Sequence, residues 1–594
     1  MNSTPAANVV WRMSDLYLGP EDPQFAADKS WCEKRAEVLA NSYRGKVGTL
    51  PPEQLRDAVR ELEAIQERCH RLLAFGYLHF ATRTDDAAAS ALWQDVQVFY
   101  SRIQRETLFL ELEWTHVEET ASNTVLADPV LDGYRHHLTS LRRYKPHLLS
   151  EPEERVLAEK EPTGAASWTT LFDKVLGALR FGRGLRTEPE VLSDLYQPER
   201  DTRRQAAEDL TGGRESGLHI LNHIFNTIVL DKAIVDRLRK YPHWLRARNL
   251  SNEADDAMVS ALVAAVTSRY DLVQRYYRLK RRLLGYEILY DYDRYAPLPG
   301  LPRQEVSWEE ARQKVLEAYA AFSPEMARIA KRFFDEQWIH APVQPGKRSG
   351  AFSHPTVPSA HPYVLLNFNG THRDVMTLAH ELGHGVHQVL ASQQGFFNAS
   401  TPLTTAETAS VFGEMLVFSD MIQRLTTPTE KIALLCSKIE DIFATVFRQV
   451  SMNRFEDSLH TARREQGELD SETISAKWME SQRAMFGDSV ELQEHYRIWW
   501  SYIPHFLHSP GYVYAYAFGE LLVLALYQQY RERGKAFVPL YLNLLASGGK
   551  AAPSELLLPF GVDLGDPAFW DQGLKVIESL LEQAESMVAR PTAP

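Results

Sequence analysis

The sequence predicts a mainly α fold, because helical patterns of hydrophobic residues fill most of the chain and strand-like alternation is scarce. Residues 52–75 carry apolar side chains at a spacing close to 3.6 residues, and residues 83–113, 200–240 and 253–285 behave similarly. Of the 594 residues, 44% are hydrophobic and 11% are aromatic. This composition can fill a buried core and excludes wholesale disorder.

The strand candidates are few and short. The clearest one runs from Pro362 to Gly370, a β-branched and aromatic stretch that ends in Asn-Gly turn chemistry. A second candidate covers Tyr286–Tyr290. Proline-rich segments at 297–302 and 342–362 predict loops. We therefore expect at most a small β-sheet within a helical body.

Charge and cysteine usage limit the compartment and the partners. The 65 basic and 78 acidic residues give a formal net charge of −13, which argues against a general nucleic-acid binder. Three widely spaced cysteines, Cys32, Cys69 and Cys436, cannot build a disulfide framework or a CxxC zinc site. They predict a reducing compartment, and we expect a cytoplasmic location. The longest apolar stretch, residues 512–527, is interrupted by a glycine and a glutamate, so no membrane partner is expected. The sequence leaves the oligomeric state open.

The most informative motif is HExxH at residues 380–384. The apolar positions around it step by three or four residues and predict a helix, with Thr371 and Asp374 as a capping-box variant at its start. Residues four apart lie on one helix face, so His380 and His384 can bind one zinc ion. Glu381 is rotated by about 100° and can face a water on that zinc as a general base.

Two glycines of the motif helix point to a crowded backbone. Gly383 and Gly385 each cost about 1 kcal/mol relative to alanine inside a helix. This cost predicts that another group approaches the helix backbone closely. The strand candidate that precedes the helix can line a substrate cleft beside it.

A catalytic zinc site needs a third protein ligand and an open position. Glu407 is the first acidic residue after the motif, near the start of a following helix that Thr404 or Thr405 can cap. His387 is an alternative ligand, and a solvated acid at a helix start is the alternative reading of Glu407. The pattern HExxHxxGxxH is excluded. It requires glycine at 387 and histidine at 390, whereas the sequence has His387 and Leu390.

Two further acids can act behind the ligands. Glu414, two helical turns after Glu407, or Asp374 can orient a ligand histidine. A solvated surface acid is the commoner role for residues of this type.

A second group of candidate residues lies near the C-terminus. Two histidines and four tyrosines fall within residues 502–516. Their O–H and N–H groups can stabilise the oxyanion of a tetrahedral intermediate. From the residues alone, an aromatic core segment is the favoured alternative.

The sequence resembles the oligoendopeptidase F branch of the thimet-oligopeptidase family of zinc metallopeptidases. The resemblance rests on SGAFSHP, HPYVLLNFNGTHRDVMTLAHELGHGVHQ, TAETASVFGEML, IPHF and GYVYAYAFGELL, with WRMSDLYLG and HLLSEPEERVLAEKEPTGAASW near the N-terminus. It covers almost the whole chain and is strongest at about 345–525. It implies a two-lobed, mainly helical metallopeptidase body with a deep substrate channel and a small β-sheet beside the zinc site. It implies cleavage of short unstructured peptides.

By motif position, the resemblance implies particular roles for residues. The zinc ligands are His380, His384 and Glu407, and the general base is Glu381. The transition-state donors fall on His505, Tyr512 and Tyr516, with His508 and Tyr514 as competing positions. Pro510-Gly511 replaces the aromatic residue that the branch more often has before the first of these tyrosines.

The predicted organisation assigns residues 1–200 to an N-terminal helical region that forms part of the channel wall. Residues 201–594 are assigned to the zinc peptidase catalytic domain. The substrate backbone is expected to pair with the edge of the strand Tyr363–Asn369. The expected reaction is attack by a zinc-bound water on an internal peptide bond, with Glu381 as the base.

Two other functions remain open at this point. A zinc exopeptidase on a similar helical body needs a cation that grips a terminal carboxylate, for which Arg497 or Lys347 are the candidates. A non-catalytic helical scaffold would carry the HExxH motif by chance and hold no stoichiometric zinc.

Overall fold

The computed structural model describes residues 6–298 and 305–589, and most of them are helical. The α-helices in chain order are α1 (Pro23–Tyr43), α2 (Pro52–Ala81), α3 (Ala87–Thr107), α4 (Phe109–His116), α5 (Glu119–Leu126), α6 (Arg135–Arg142), α7 (Glu151–Lys160), α8 (Ala165–Ala178), α9 (Glu188–Asp194), α10 (Arg200–Leu238), α11 (Arg246–Ser251), α12 (Asp256–Ser268), α13 (Tyr270–Leu284), α14 (Trp308–Phe322), α15 (Pro324–Asp335), α16 (His372–Ala391), α17 (Phe396–Ala399), α18 (Leu403–Ala406), α19 (Ser410–Arg424), α20 (Pro428–Thr445), α21 (Phe447–Gln466), α22 (Ser471–Phe486), α23 (His505–His508), α24 (Tyr514–Arg533), α25 (Phe537–Ala546), α26 (Pro553–Leu557) and α27 (Pro567–Ala589). Short 3₁₀ helices cover Val47–Thr49, Pro129–Leu131, Lys145–His147, Glu161–Thr163, Asp291–Tyr295, Ser392–Gln394, Glu494–Tyr502, Gly534–Ala536 and Leu558–Phe560. The mainly α prediction is confirmed.

The predicted helical stretches correspond to α2, α10, the pair α3 and α4, and the pair α12 and α13. In the last pair the helix stops at Ser268 and resumes at Tyr270, because Arg269 between them leaves helical backbone geometry. None of the helices in the described residues is both long and apolar enough to cross a membrane.

The helix that carries HExxH begins at the predicted capping box. The backbone N–H and the hydroxyl of Thr371 both donate to Asp374 Oδ2, at 2.9 and 2.8 Å. The Asp374 N–H donates back to Thr371 Oγ1 at 3.2 Å. Asp374 is therefore a capping residue of α16, and this contact accounts for its carboxylate.

A small three-stranded sheet lies before this helix in the chain. Its strands are β1 (Ile339–His340), β2 (Phe352–His354) and β3 (Tyr363–Leu365), in the spatial order β1-β3-β2. Strand β1 is parallel to β3, and β2 is antiparallel to it. The strand predicted from Pro362 to Gly370 is confirmed in its first half.

The sheet corrects three expectations. Strand β3 is central, so both of its edges are already paired, and the prediction that a peptide pairs with it is wrong. Strand β2 lies inside the segment 342–362 that was predicted as loop; three residues are too few to show a strand period. The candidate strand Tyr286–Tyr290 is also wrong, since only Tyr290 forms a single bridge, to Glu491.

The predicted loop 297–302 falls mostly outside the described residues. Residues 297 and 298 have no regular structure, and residues 299–302 are not described.

The chain forms two compact units, each built from three chain segments. Unit 1 consists of Met1–Lys145, Arg303–Arg424 and Gln529–Asp563. Unit 2 consists of Pro146–Pro302, Leu425–Gln528 and Leu564–Pro594. The functional division at residue 200 and the substrate channel stay predictions.

Each unit has its own hydrophobic packing. In unit 1, α16 packs against α19, α14, α15 and α25. One face of α19 is apolar and buried; its residues are Val411, Met415, Phe418 and Met421. In unit 2, a buried cluster joins α8, α9, α10, α21 and α22 to the aromatic segment that ends at Val513.

Candidate metal centre and active site

Close packing fixes the position of α16. A Cβ added at Gly383 would lie 2.4 Å from the carbonyl oxygen of Ala409, and one at Gly385 would lie 2.4 Å from the ring of Phe333. Both distances are far below van der Waals contact, so neither position admits a side chain without movement of its neighbours. The prediction that other groups approach this helix backbone is confirmed, and the approach of α19 brings Glu407 to the histidines.

The structure brings His380, His384 and Glu407 together. The Nε2 atoms of His380 and His384 lie 3.3 and 3.5 Å from the Oε2 atom of Glu407. One ligand atom from each of the three residues lies within 4.8 Å of the other two. The two imidazole rings are 5.0 Å apart and nearly perpendicular, at 82°.

These separations fit a single metal ion. Ligand atoms about 2.0–2.1 Å from a tetrahedral centre lie about 3.3–3.4 Å from one another. Two imidazole nitrogens and one carboxylate oxygen form a His₂Glu donor set, which leaves the fourth corner of a tetrahedron open. The three residues therefore fit a zinc site of the catalytic kind.

A second acid orients one of the candidate ligands. The Nδ1 atom of His380 lies 3.3 Å from Oε2 of Glu414, which accepts its proton. The Nε2 atom faces the carboxylate of Glu407, to which it donates a hydrogen bond when it carries a second proton. Two acceptors at this distance require a second proton or a cation between them, and a metal ion supplies the cation.

Glu414 is therefore a hydrogen-bond partner of a candidate ligand, and the interpretation of this residue as a solvated surface acid is wrong. Its side chain is 16% exposed.

Glu407 lies between two helices and outside both. It forms the C-terminal cap of the one-turn helix α18, and α19 begins at Ser410. The Ser410 hydroxyl donates to Glu407 Oε2 at 2.6 Å. Burial alone raises the pKa of Glu407, but the hydrogen bond from His380 and the neighbouring imidazoles outweigh it and lower the pKa to about 2. The carboxylate is ionised, as a metal ligand must be.

Glu381 is buried beside the candidate metal ligands and is 7% exposed. Burial raises its pKa to about 7, against the lowering effect of His380 and of a backbone hydrogen bond from Ser353. A carboxyl group with this pKa can both accept and return a proton near neutral pH.

His387 does not join the candidate ligands. It lies outside the group of mutually close donors, is 6% exposed, and has a pKa lowered to about 4 by burial. The geometry favours Glu407 over His387 as the third ligand.

The predicted donors His505, Tyr512 and Tyr516 form a cluster of their own in unit 2. His505 Nε2 lies 3.2 Å from the hydroxyl of Tyr516. The rings of Tyr512 and Tyr516 meet edge to face at 4.9 Å, and the ring of His505 is parallel to that of Tyr512 at 6.2 Å. Three groups that can donate hydrogen bonds are thus gathered within one segment.

The two competing positions have other partners. His508 is on the surface, where its Nε2 lies 3.0 Å from Asp173 Oδ1. Tyr514 is fully buried, and its hydroxyl accepts a hydrogen bond from Asn252 Nδ2 at 2.9 Å. His508 is therefore a surface histidine and Tyr514 a structural tyrosine, and neither belongs to the cluster of three candidates.

Sequence comparison identifies the family. The profile of Peptidase family M3 matches residues 194–576, and a profile described as Oligopeptidase F matches residues 113–181. The chain belongs to peptidase family M3. It is a metallo-endopeptidase, and a non-catalytic scaffold is excluded.

Several relatives of this M3 peptidase match over nearly the full length. Oligopeptidase PepF of Bacillus subtilis (strain 168) is 26% identical over 598 residues, which cover 98% of this chain and 88% of that protein. The plasmid-encoded oligoendopeptidase F of Lactococcus lactis subsp. cremoris is 25% identical over 602 residues, covering 98% of each chain.

Solved structures share the fold. A crystal structure from Chlamydophila abortus matches with a TM-score of 0.87 at 24% identity and covers 99% of both chains. The oligoendopeptidase-F of Enterococcus faecium matches with a TM-score of 0.72 at 21% identity, covering 96% of this chain and 99% of that one.

Sequence reasoning missed the contact between the sheet and the motif helix of the M3 peptidase. The Ser353 hydroxyl donates to Gln388 Oε1 at 2.8 Å, and Gln388 Nε2 donates to Ser353 O at 3.2 Å. The available signal was the spacing of Gln388, four residues after His384 and therefore on the same helix face. The sequence does not reveal which strand that face meets.

Proposed function

We propose that the chain is a zinc-dependent endopeptidase that hydrolyses internal peptide bonds of short unstructured oligopeptides. The proposal is carried by the His380–His384–Glu407 donor set. The Nε2 atoms of the two histidines lie 3.3 and 3.5 Å from Glu407 Oε2, and Glu381 is buried beside them. The names of the relatives, oligopeptidase and oligoendopeptidase F, support the substrate class. The motif spacing, the partial burial of the three ligand side chains and the burial of Glu381 agree with one catalytic centre.

Zinc is the proposed cofactor, one ion per chain. When bound, it supplies a Lewis acid that polarises the peptide carbonyl and lowers the pKa of water. His380 and His384 hold it through Nε2, and Glu414 keeps the His380 ring in the required tautomer.

Glu381 is the proposed general base and general acid. Its carboxylate takes a proton from the attacking water and later delivers that proton to the leaving amine. The burial that raises its pKa also excludes competing water from the carboxylate. Its neighbour on the sheet, the N–H of Ser353, orients it.

His505, Tyr512 and Tyr516 are the proposed donors to the negative charge that develops on the carbonyl oxygen. Their supporting observation is the shared cluster, in which the imidazole of His505 and the hydroxyl of Tyr516 lie 3.2 Å apart. Loss of one such donor typically lowers the rate by about 10²–10³-fold.

The outer strand β2 connects the sheet to the motif helix. Val364 donates its N–H to Trp338 O on the β1 side, so Ser353, opposite Val364, directs its backbone groups away from β3. Those groups already meet Glu381 and Gln388 of the motif helix, so β2 supports that helix and does not offer a free edge to the peptide backbone.

The two cations considered for an exopeptidase are already engaged. Lys347 Nζ donates to the carbonyl oxygens of His340, Pro342 and Leu366. Arg497 forms ion pairs with Glu472 and Glu494 at 2.6 and 3.0 Å. With these groups held, the structure supports an endopeptidase over an enzyme that grips a terminal carboxylate.

The remaining proposals concern location and partners. The cysteines are buried and form no disulfide among the described residues, in agreement with the proposed cytoplasmic location. Short peptides are the proposed partners, and no nucleic-acid or membrane partner is proposed. The oligomeric state is left open.

The decisive experiment compares the wild type with Glu381→Gln on peptides blocked at both ends. We expect wild type to cut such peptides internally and to contain one zinc per chain. Glu381→Gln should keep the zinc and lose about 10²–10⁴-fold in kcat. Glu309→Gln, a matched change of an exposed glutamate in α14, should leave both unchanged. Normal turnover by Glu381→Gln would remove the proposed base, and wild-type protein without zinc would remove the proposed mechanism.

A further inference from the structure

A cavity of about 320 Å³ adjoins the candidate metal centre within unit 1. One wall is the C-terminal half of α16, which contributes the candidate ligand His384 together with His387 and Gln388. Another wall includes Ala406, the residue immediately before Glu407. The cavity therefore borders the candidate metal centre at His384 and Ala406 and lies along the C-terminal half of the motif helix.

The third wall is the loop 355–362, which joins β2 to β3 and is mainly apolar. The principal apolar lining residues are Pro355, Val357, Pro358, Ala360, Pro362 and Phe396. Among the described residues that line the cavity there is no aspartate or glutamate, and Arg332 is the single lysine or arginine. An apolar side chain gains by leaving water for this wall. A lysine or arginine side chain would lose its hydration without gaining an anionic partner.

The loop holds its shape through strain and hydrogen bonds. Thr356 has φ +57°, a left-handed conformation that is strained for a β-branched residue. Its N–H donates to His354 Nδ1 at 3.0 Å and its hydroxyl donates to His361 O at 2.8 Å. The Ser359 N–H donates to Glu67 Oε1 at 2.9 Å. Strain that is kept in place this way is a feature of preformed ligand sites.

Trp338 also lines the cavity and is fully buried. Its ring stacks on that of His361 at 3.9 Å, and Arg332 lies 4.7 Å from it. Its indole Nε1–H has no acceptor among the described residues.

We propose that this cavity is a specificity pocket that receives one large apolar side chain of the peptide substrate and disfavours lysine and arginine at that position. The inference rests on the proposed peptidase function and adds a selectivity to it. The volume lies at the low end of the range for ligand pockets, about 300–1,000 Å³, which suits one side chain. Continuity with His384 makes the occupant a residue close to the cleaved bond.

The test fills the pocket with a larger side chain at Ala360 and uses the same substitution at the neighbouring Ser359 as the control. Ala360 lines the cavity, whereas the adjacent Ser359 is exposed and does not. Peptides blocked at both ends are varied at one position at a time, with glycine, leucine, phenylalanine, glutamate or lysine. For wild type we expect one position near the cut at which leucine and phenylalanine are preferred and lysine is worst.

Ala360→Phe should lower kcat/KM about 10–200-fold for peptides with phenylalanine or leucine at that position. Peptides with glycine there should change by less than about twofold, and Ser359→Phe should leave the whole profile as in wild type. An active Ala360→Phe enzyme with an unchanged ratio between phenylalanine and glycine peptides overturns the pocket. Failure of the wild type to cut any blocked peptide would instead reject the proposed function.

Binding measured without turnover gives an independent readout. In a Glu381→Gln background, calorimetry should show that the phenylalanine peptide binds more tightly than the lysine peptide, and that Ala360→Phe removes the difference. Equal affinities of the two peptides in the Glu381→Gln protein would overturn the proposal. If Ala360→Phe unfolds, Val357→Ala decides: the enlarged pocket should move the preference toward tryptophan, and an unmoved preference counts against the proposal.

Discussion

The candidate metal centre in unit 1 and the aromatic segment in unit 2 reach their geometries by different routes. His380 and His384 share a helix face because they are four residues apart, so their spacing in the sequence already determines their relative position. His505 begins the one-turn helix α23, whereas Tyr512 and Tyr516 follow that helix and a glycine turn, and the position of the turn depends on contacts with distant parts of the chain.

The turn before Tyr512 illustrates that dependence. Gly511 has φ +74°, and a Cβ at this position would lie 2.5 Å from the side chain of Leu245. Its N–H donates at 2.8 Å to Glu456, which is 1% exposed in the middle of α21. Arg248 lies 5.7 Å from the ring of Tyr512. Two separate elements, α11 with its N-cap residue and α21, therefore hold one turn, and the departure from the family pattern at Pro510-Gly511 falls where they meet.

The comparison shows that local spacing sets the relative position of two histidines on one helix, whereas Glu407 reaches them through the packing of α19 against α16. The geometry of a site on a turn depends on the residues that hold the turn in place. Substitutions in the first region should therefore act directly on metal and chemistry. Substitutions in the second should divide into those that remove a reacting group and those that loosen its support.

The largest expected effect is at the third ligand. Glu407→Ala removes a direct ligand, so zinc affinity should fall by more than the roughly 10–100-fold typical of an outer partner, and activity should be lost. His387→Ala should keep one zinc per chain. Metal content after dialysis, measured by mass spectrometry, separates the two variants. Zinc retained in Glu407→Ala and lost in His387→Ala would reverse the ligand assignment.

The tyrosines of the second region provide a matched pair. Tyr516→Phe should lower kcat by about 10²–10³-fold with a smaller effect on KM, because it removes a proposed donor to the transition state. Tyr514→Phe should leave kcat nearly unchanged. It should lower the free energy of unfolding by about 1–3 kcal/mol, because the buried hydrogen bond from Asn252 is lost.

Steady-state kinetics and urea unfolding on both proteins measure these quantities. A large fall in kcat for Tyr514→Phe with no change for Tyr516→Phe would exchange their proposed roles.

What could be predicted from the sequence follows the same division. The mainly α fold, the capping box of α16 and the pairing of His380 with His384 follow from helical periodicity and spacing. Glu407 could be predicted as the first acidic residue after the motif, but its approach to the histidines depends on the packing of α19 against α16. Strand β2 could not be predicted, because three residues show no period and its partners are selected by the sheet. Glu456 has the pattern of a surface acid on an amphipathic helix; its burial depends on Gly511, 55 residues away.

The smallest expected effect concerns Glu456 and depends on pH. Burial raises its pKa to about 8 from an ordinary value of 4.5, against the lowering effects of the Gly511 N–H, Arg248 and Lys232. Between these two values the native protein holds a proton that the unfolded chain has released. The stability that Glu456 contributes is therefore full below about pH 4.5 and is lost as pH rises through about 8.

Glu456→Gln keeps an acceptor for the Gly511 N–H but does not titrate, so it removes this pH dependence. Relative to Glu456→Gln, wild type should lose a few kcal/mol in its free energy of unfolding between pH 5 and pH 8. Urea unfolding of the full chain at both pH values measures the difference, with Glu480→Gln on the exposed face of α22 as the control. A difference between wild type and Glu456→Gln that stays constant from pH 5 to pH 8 would mean that Glu456 is ionised in the native protein. The support of the Gly511 turn would then be a charged hydrogen bond, and its dependence on remote residues would be stronger than the comparison assumes.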